Sequence, residues 1–185
     1  MVETNLTVDA KGLSCPMPIV KARKAMNEIQ DGEVLEVLAT DKGSKADIQA
    51  WAKQIGHQYL GTIEEESVLK HYIRKALSSE STEERSYEKT ATNEELLKYL
   101  DQSVQIVDVR EPAEYVFGHI PNAVSAPFGD LATHAVKLDK EKNTYVICRT
   151  GNRSDLACQQ LVQLGFTNVW NVVPGMSQWN GPIEK

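Results

Sequence analysis

Hydrophobic positions along the chain fall into short alternating runs and longer stretches with a period of three to four, and a single polar interval divides them. Residues 5–9 alternate as a short strand does. Residues 16–29 bring Ile19, Met26 and Ile29 onto one helical face, and the Val- and Leu-rich run 33–39 predicts a second strand. Ser44 precedes Asp47 by three residues, a weaker form of the capping box. Ile48, Trp51, Ala52 and Ile55 then follow at helical spacing until Gly56 ends the helix. That Trp-bearing stripe reads as core. Residues 58–64 and 68–74 predict a hairpin turning at 65–67. The first half is therefore expected to run β-α-β-α-β-β.

The second half alternates strands with helices, which predicts a parallel sheet with helices on its faces. Thr92 and Glu95 make a capping box for a helix reaching Leu100. Residues 105–109 predict a strand, 111–117 and 131–136 short helices, and 144–148 an apolar strand. Residues 154–164 predict a helix ended by Gly165, and 168–173 a last strand. Between the halves, Ser78 to Ser86 is Ser/Glu-rich with no apolar period. This composition predicts a linker over 76–90, a first domain over 1–75 and a second over 91–185. A flexible linker of that length spans about 20 Å on average and about 50 Å at most. No internal repeat relates the two halves.

Composition narrows the chemistry. Of 185 residues, 41% are hydrophobic and 25% charged, as in ordinary globular proteins, and no run approaches a membrane-spanning length. The net charge of −6 argues against nucleic acid and against an anionic membrane surface as partners. The first nine residues lack a basic stretch followed by an apolar one, so the cytoplasm is the expected location. Three sparse cysteines, Cys15, Cys148 and Cys158, suit neither a disulfide framework nor a zinc site. No metal or cofactor is expected. Individual thiol chemistry remains, with Cys158 read as a buried small hydrophobe.

Cys148 ends a predicted strand and is followed by Arg149, Thr150, Gly151, Asn152 and Arg153 before a helix. A tight strand-to-helix loop turns backbone N–H groups inward as an anion nest, and the helix adds the positive end of its dipole. Gly151 permits the backbone angles, and Arg149 and Arg153 add charge. Such surroundings lower a cysteine's pKa from about 8.5 and favour a thiolate or persulfide anion.

The loop resembles the active loop of the rhodanese family. Asp108-Val109-Arg110 with Glu114-Tyr115 resembles that family's D-V-R-x-x-x-E-[FY] segment. Gly118 to Ala123 resembles its G-H-I-P-G-A segment, with Asn122 for Gly. Pro174-Gly175-Met176 with Trp179 resembles its G-G-x-x-x-W tail, with Pro174 for Gly. The resemblance implies a rhodanese fold and a persulfide on Cys148. Asp108, Arg110 and His119 are expected to orient loops rather than react. Cysteine phosphatases and arsenate reductases place five residues between Cys and Arg. The four between Cys148 and Arg153 make a smaller nest, suited to sulfur.

Around Cys15 the chain reads Asp9-Ala10-Lys11-Gly12-Leu13-Ser14-Cys15-Pro16-Met17-Pro18, with Lys21 one turn on. The prolines suit a helix's first turn. Cys15 is therefore expected at the cap, where the dipole and the basic residues Lys21, Arg23 and Lys24 favour its thiolate. The Cys-Pro-x-Pro run with Asp9, Gly12, Leu13 and Lys21 resembles the TusA/SirA sulfur carriers. Asp41, Asp47, Gly56 and His57 add weaker matches. That resemblance implies a two-layer α/β fold over residues 1–75 and a persulfide carried on Cys15.

Together these features predict a sulfurtransferase. Cys148 would take sulfur from thiosulfate or a low-molecular-weight persulfide and exchange it with Cys15 and with acceptor thiols or proteins. Exchange within one chain or across a homodimer satisfies the same chemistry. The competing expectation is a non-catalytic persulfide buffer or sensor that acts by binding a partner.

Overall fold

The computed structural model describes residues 2–77 and 85–185, which form two compact units divided between them. Residues 78–84 of the predicted linker lie outside the described residues.

The first unit contains β1 (Leu6–Asp9), α1 (Met17–Met26), β2 (Val34–Ala39), α2 (Ser44–Gln54), β3 (Gln58–Glu65) and β4 (Val68–Arg74). Its sheet has the order β1-β2-β4-β3, with β1 parallel to β2 and β4 antiparallel to both neighbours. Alternation along the strands divides the sheet's faces. Leu35, Val37 and Ile73 pack against Ala22 and Met26 of α1 and Ile48 and Trp51 of α2. On the other face, the Glu36 carboxylate accepts from the Thr7 hydroxyl at 2.9 Å and the Tyr72 hydroxyl at 2.8 Å. One helical layer thus covers one side of one sheet. α1 stops earlier than the pattern suggests, because the amides of Asn27 and Glu28 turn back to carbonyls only three residues behind. Ile29 still reaches the core.

Ser44 does not cap α2. Gly43 is the cap residue, and the Ser44 hydroxyl pairs with Nε2 of His71 at 2.9 Å. The reason lies in the tertiary fold. His71 is buried on β4 and needs polar partners on both ring nitrogens. Ser44 serves one, and the Thr62 hydroxyl serves Nδ1 at 2.9 Å.

The second unit contains β5 (Thr90–Thr92), α3 (Asn93–Tyr99), β6 (Gln105–Asp108), α4 (Pro112–Phe117), β7 (Val124–Ser125), α5 (Leu131–Ala135), β8 (Thr144–Ile147), α6 (Asn152–Gln163) and β9 (Val169–Val173). The strands form a parallel sheet of order β5-β9-β8-β6-β7. Both faces are covered. Val107, Val146 and Val169 meet Leu131 of α5 and Ala157 and Leu161 of α6, while Ile106, Ile147 and Val172 meet Leu96 of α3 and Ile120. All four β8 residues are buried, which is why this strand reads as an unbroken apolar run. The capping box of Thr92 and Glu95 is present. β5 and β7, three and two residues long, are too short for a period to show.

Residues 85–90, assigned by composition to the linker, hold defined places in this unit. Asp155 is buried, and its carboxylate accepts from the backbone amides of Ser86 and Tyr87 at 2.9–3.3 Å. Thr90 already belongs to β5.

Candidate functional site

The Cys148 loop occupies the carboxyl end of β8, where α/β sheets place ligands. Gly151 caps α6 with φ of 95°, so α6 begins two residues earlier than its apolar pattern. A Cβ at Gly151 would lie 2.8 Å from Cγ1 of Val173, so both conformation and space demand glycine there. The Gly151 amide donates to Sγ of Cys148 at 3.1 Å, and the Ser154 hydroxyl stands 3.3 Å from the same sulfur. Ser154 is also 2.6 Å from Oδ1 of Asn171, whose Nδ2 donates to the Gly151 carbonyl at 3.0 Å. A hydroxyl has one proton, so Ser154 shares it between sulfur and amide oxygen. Cys148 has no exposed surface.

A second layer fixes the loop's other side. Gly175 approaches so closely that a Cβ would stand 2.5 Å from the Cys148 carbonyl oxygen. The amides of Met176 and Ser177 donate to the carbonyls of Cys148 and Arg149, each at 2.9 Å. Asn93 holds Gly175 through its carbonyl at 3.0 Å and its amide at 3.3 Å.

Sequence reasoning gives Arg153 the task of holding the sulfur anion. In the structure its guanidinium also meets a carboxylate. It is buried and forks onto Glu114, with N–O distances of 2.8 and 3.2 Å, and Glu114 also accepts from the Glu111 amide. The pairing follows from cost: a buried carboxylate needs a charged partner, and arginine's planar fork matches it. Arg153 thus clamps α6 to α4. Arg149, Thr150 and Asn152 are half-buried along the loop.

Asp108 and Arg110 form a buried pair, with the Arg110 Nη2 2.6 Å from the carboxylate and 2.8 Å from the Gly118 carbonyl. The pair ties the β6–α4 loop to the segment after α4. His119 stacks on Tyr115 with ring centroids 3.7 Å apart, and Asn122 adopts φ of 62° in place of the family's glycine. Cys158 is buried in the apolar core, and burial pushes its thiol far up, away from the thiolate.

Cys15 sits in a different setting. It is exposed and stands one residue before Pro16, the cap residue of α1. It shares a narrow pocket with Pro18, Ile19, Asp41, Ser44, Asp47 and Ile48. The hydrogen bond to Asp47 raises the thiol's pKa above its ordinary value, helped by partial desolvation and by the charges of Asp47 and Asp41. This reverses the expected lowering, because the carboxylates of α2 and the loop before it come closer than the bases of α1. Lys21 donates instead to the Asp9 carbonyl at 2.9 Å, pinning the end of β1 to α1.

Ser154 and Asp47 are not evident as site residues from sequence because each reaches its cysteine from another element or turn, and Asn171 acts one step back, through Ser154 and the Gly151 carbonyl. Among the described residues, no cluster of His, Cys, Asp or Glu could hold a metal, and no helix is long and apolar enough to cross a membrane.

Known proteins match both units. Residues 6–75 match the family model for sulfurtransferase TusA, and residues 92–182 that for the rhodanese-like domain. Over its whole length the chain is 45% identical to YrkF of Bacillus subtilis (strain 168), a protein named as a candidate sulfur carrier, with the whole of that protein covered. It is 41% identical over 76 residues to the sulfur carrier protein TusA of Allochromatium vinosum, covering 41% of this chain and all of that one. Among solved structures, the rhodanese-like domain of an Anabaena protein is similar, at 29% identity and a TM-score of 0.50, over 52% of this chain and 79% of the other. The chain belongs to the family of single-chain proteins that join a TusA-type sulfur-carrier domain to a rhodanese-like domain.

Proposed function

We propose that the protein is a sulfurtransferase in which Cys148 forms a persulfide from thiosulfate or a low-molecular-weight persulfide, and Cys15 exchanges that sulfur with acceptor thiols or proteins. The carrier domain would be 1–75, and the second domain 91–185 together with residues 85–90, which pack on it. The observation that carries the reading is the Gly151 amide, which donates to Sγ of Cys148 at 3.1 Å from the loop at the carboxyl end of β8. A donor fixed beside the sulfur can hold the charge of a persulfide without reorganisation.

The Cys148 thiolate attacks the outer sulfur of thiosulfate. A sulfur–sulfur bond forms to Cys148, the bond within thiosulfate breaks, and its electron pair leaves with sulfite. An acceptor thiolate then attacks the outer persulfide sulfur and returns Cys148 to its thiolate. Cys15 is suited to the acceptor role by exposure. Covalent linkage raises its effective concentration near Cys148 wherever geometry allows contact.

Steady-state transfer from thiosulfate to cyanide tests the proposal. Cys148→Ser is expected to abolish transfer, whereas Cys15→Ser keeps transfer to cyanide but loses delivery to protein acceptors. An active Cys148→Ser protein contradicts the assignment. A protein that loads sulfur once and does not turn over favours the buffer reading instead.

A further inference from the structure

Arg85 lies before residue 92, where the rhodanese-like match begins, yet it bonds to the Cys148 loop. Its Nη2 donates to the Thr150 carbonyl at 3.1 Å and its Nε to Oδ1 of Asn152 at 3.3 Å. Between those contacts lies Gly151, where an added Cβ would stand 3.4 Å from the Arg85 Nε. The backbone after Arg85 is anchored. Asp155 accepts from the Ser86 and Tyr87 amides, Gln159 donates to both Asp155 and the Ser86 hydroxyl, and the Tyr87 hydroxyl donates to the Val169 carbonyl. An exposed arginine ordinarily loses much side-chain freedom when it bonds, and an anchored backbone reduces that loss.

The Thr150 carbonyl and the Gly151 amide belong to one peptide unit, and it is not among the chain's cis bonds. In a trans peptide, C=O and N–H point in opposite directions. Arg85 draws the carbonyl to one side, and the amide on the other side meets Sγ of Cys148 at 3.1 Å. Flanked by a glycine with φ of 95°, this peptide has an easy alternative: a flip that would turn the carbonyl oxygen toward the sulfur. A cation on the carbonyl opposes the flip. It also polarises the peptide, which strengthens the N–H as a donor.

We propose that Arg85 is a positioning residue for the sulfur of Cys148, acting through the Thr150–Gly151 peptide whose amide it orients and polarises. The end of the interdomain segment is therefore part of the sulfur site. The proposal takes Cys148 as the reactive thiol but does not depend on the sulfur donor. Other charged or titratable groups around this thiol are Arg149 in the loop, Asp155 and Cys158 on α6, and the Arg153–Glu114 pair. Asp155 is occupied by the Ser86 and Tyr87 amides.

The test is alkylation of Cys148 by iodoacetamide in the full chain carrying Cys15→Ser, followed by peptide mass mapping across pH. Arg85→Ala is expected to slow the reaction at neutral pH about three- to tenfold and to move its profile to higher pH, with Arg85→Lys restoring part of the rate. Arg85→Ala with its pH profile unmoved overturns the proposal, whatever its rate. Because alkylation needs no sulfur donor, this result stands apart from the persulfide reading. A parent protein that takes up no sulfur from thiosulfate defeats that reading alone.

Discussion

The two cysteines read as reactive from sequence meet opposite surroundings. Cys148 receives an amide and a hydroxyl, whereas Cys15 faces the carboxylates Asp47 and Asp41. Local sequence shows why both were candidates, since each opens a helix. It does not show Asp47, 32 positions from Cys15, turned back onto the thiol. A carboxylate beside a thiol disfavours the second negative charge, so the Cys15 proton is held to higher pH than usual. Asp47→Asn removes that charge, and the thiol's pKa should fall. Alkylation of Cys15 near pH 7 should then quicken several-fold, more with anionic iodoacetate than with neutral iodoacetamide. Rates that are unchanged, or that rise equally for both reagents, contradict the role given to Asp47. Small anionic donors would meet repulsion at Cys15, which fits the proposed entry of their sulfur at Cys148.

At the scale of elements, strong periods are legible and pairings across elements are not. The order β-α-β-α-β-β, the apolar β8 and the Thr92–Glu95 cap follow from spacing alone. Ser44 is misread as a cap because its partner, His71, lies 27 residues on in β4. Arg153 forks onto Glu114 of α4, a pairing 39 residues apart that local spacing does not reveal. Both pairings arise where a buried polar group must find a partner that local sequence does not name. His71 makes the consequence measurable. Burial lowers its pKa to about 4, from an ordinary 6.5, so the native ring is neutral. In the unfolded chain it protonates as pH falls through about 6.5. Between about 6.5 and 4 the unfolded state binds more protons, so stability of the first unit should drop steadily across that window. Urea unfolding followed by the methyl NMR signals of Ile48 and Ile73 reads this directly. His71→Gln should cost roughly 1–3 kcal/mol near pH 7 and flatten the pH dependence in that window. A variant with the parent's slope would show that another group titrates.

At the scale of the whole molecule, two complete α/β units, each with its own core and its own candidate reactive cysteine, are joined in one chain. The anchoring of residues 85–87 by Asp155 takes the covalent connection up to the edge of the Cys148 loop. In the proposed scheme a small anionic donor reacts at the buried Cys148, and the exposed Cys15 meets acceptors. The most direct measurement is the intact mass of the full chain after exposure to thiosulfate and removal of the excess, with peptide mapping of the gained sulfur. One added sulfur atom is expected on Cys148 when Cys15 is replaced by serine, and none on Cys15 when Cys148 is replaced. Sulfur appearing on Cys15 in the Cys148→Ser protein, or none retained by the parent, would contradict the proposed scheme.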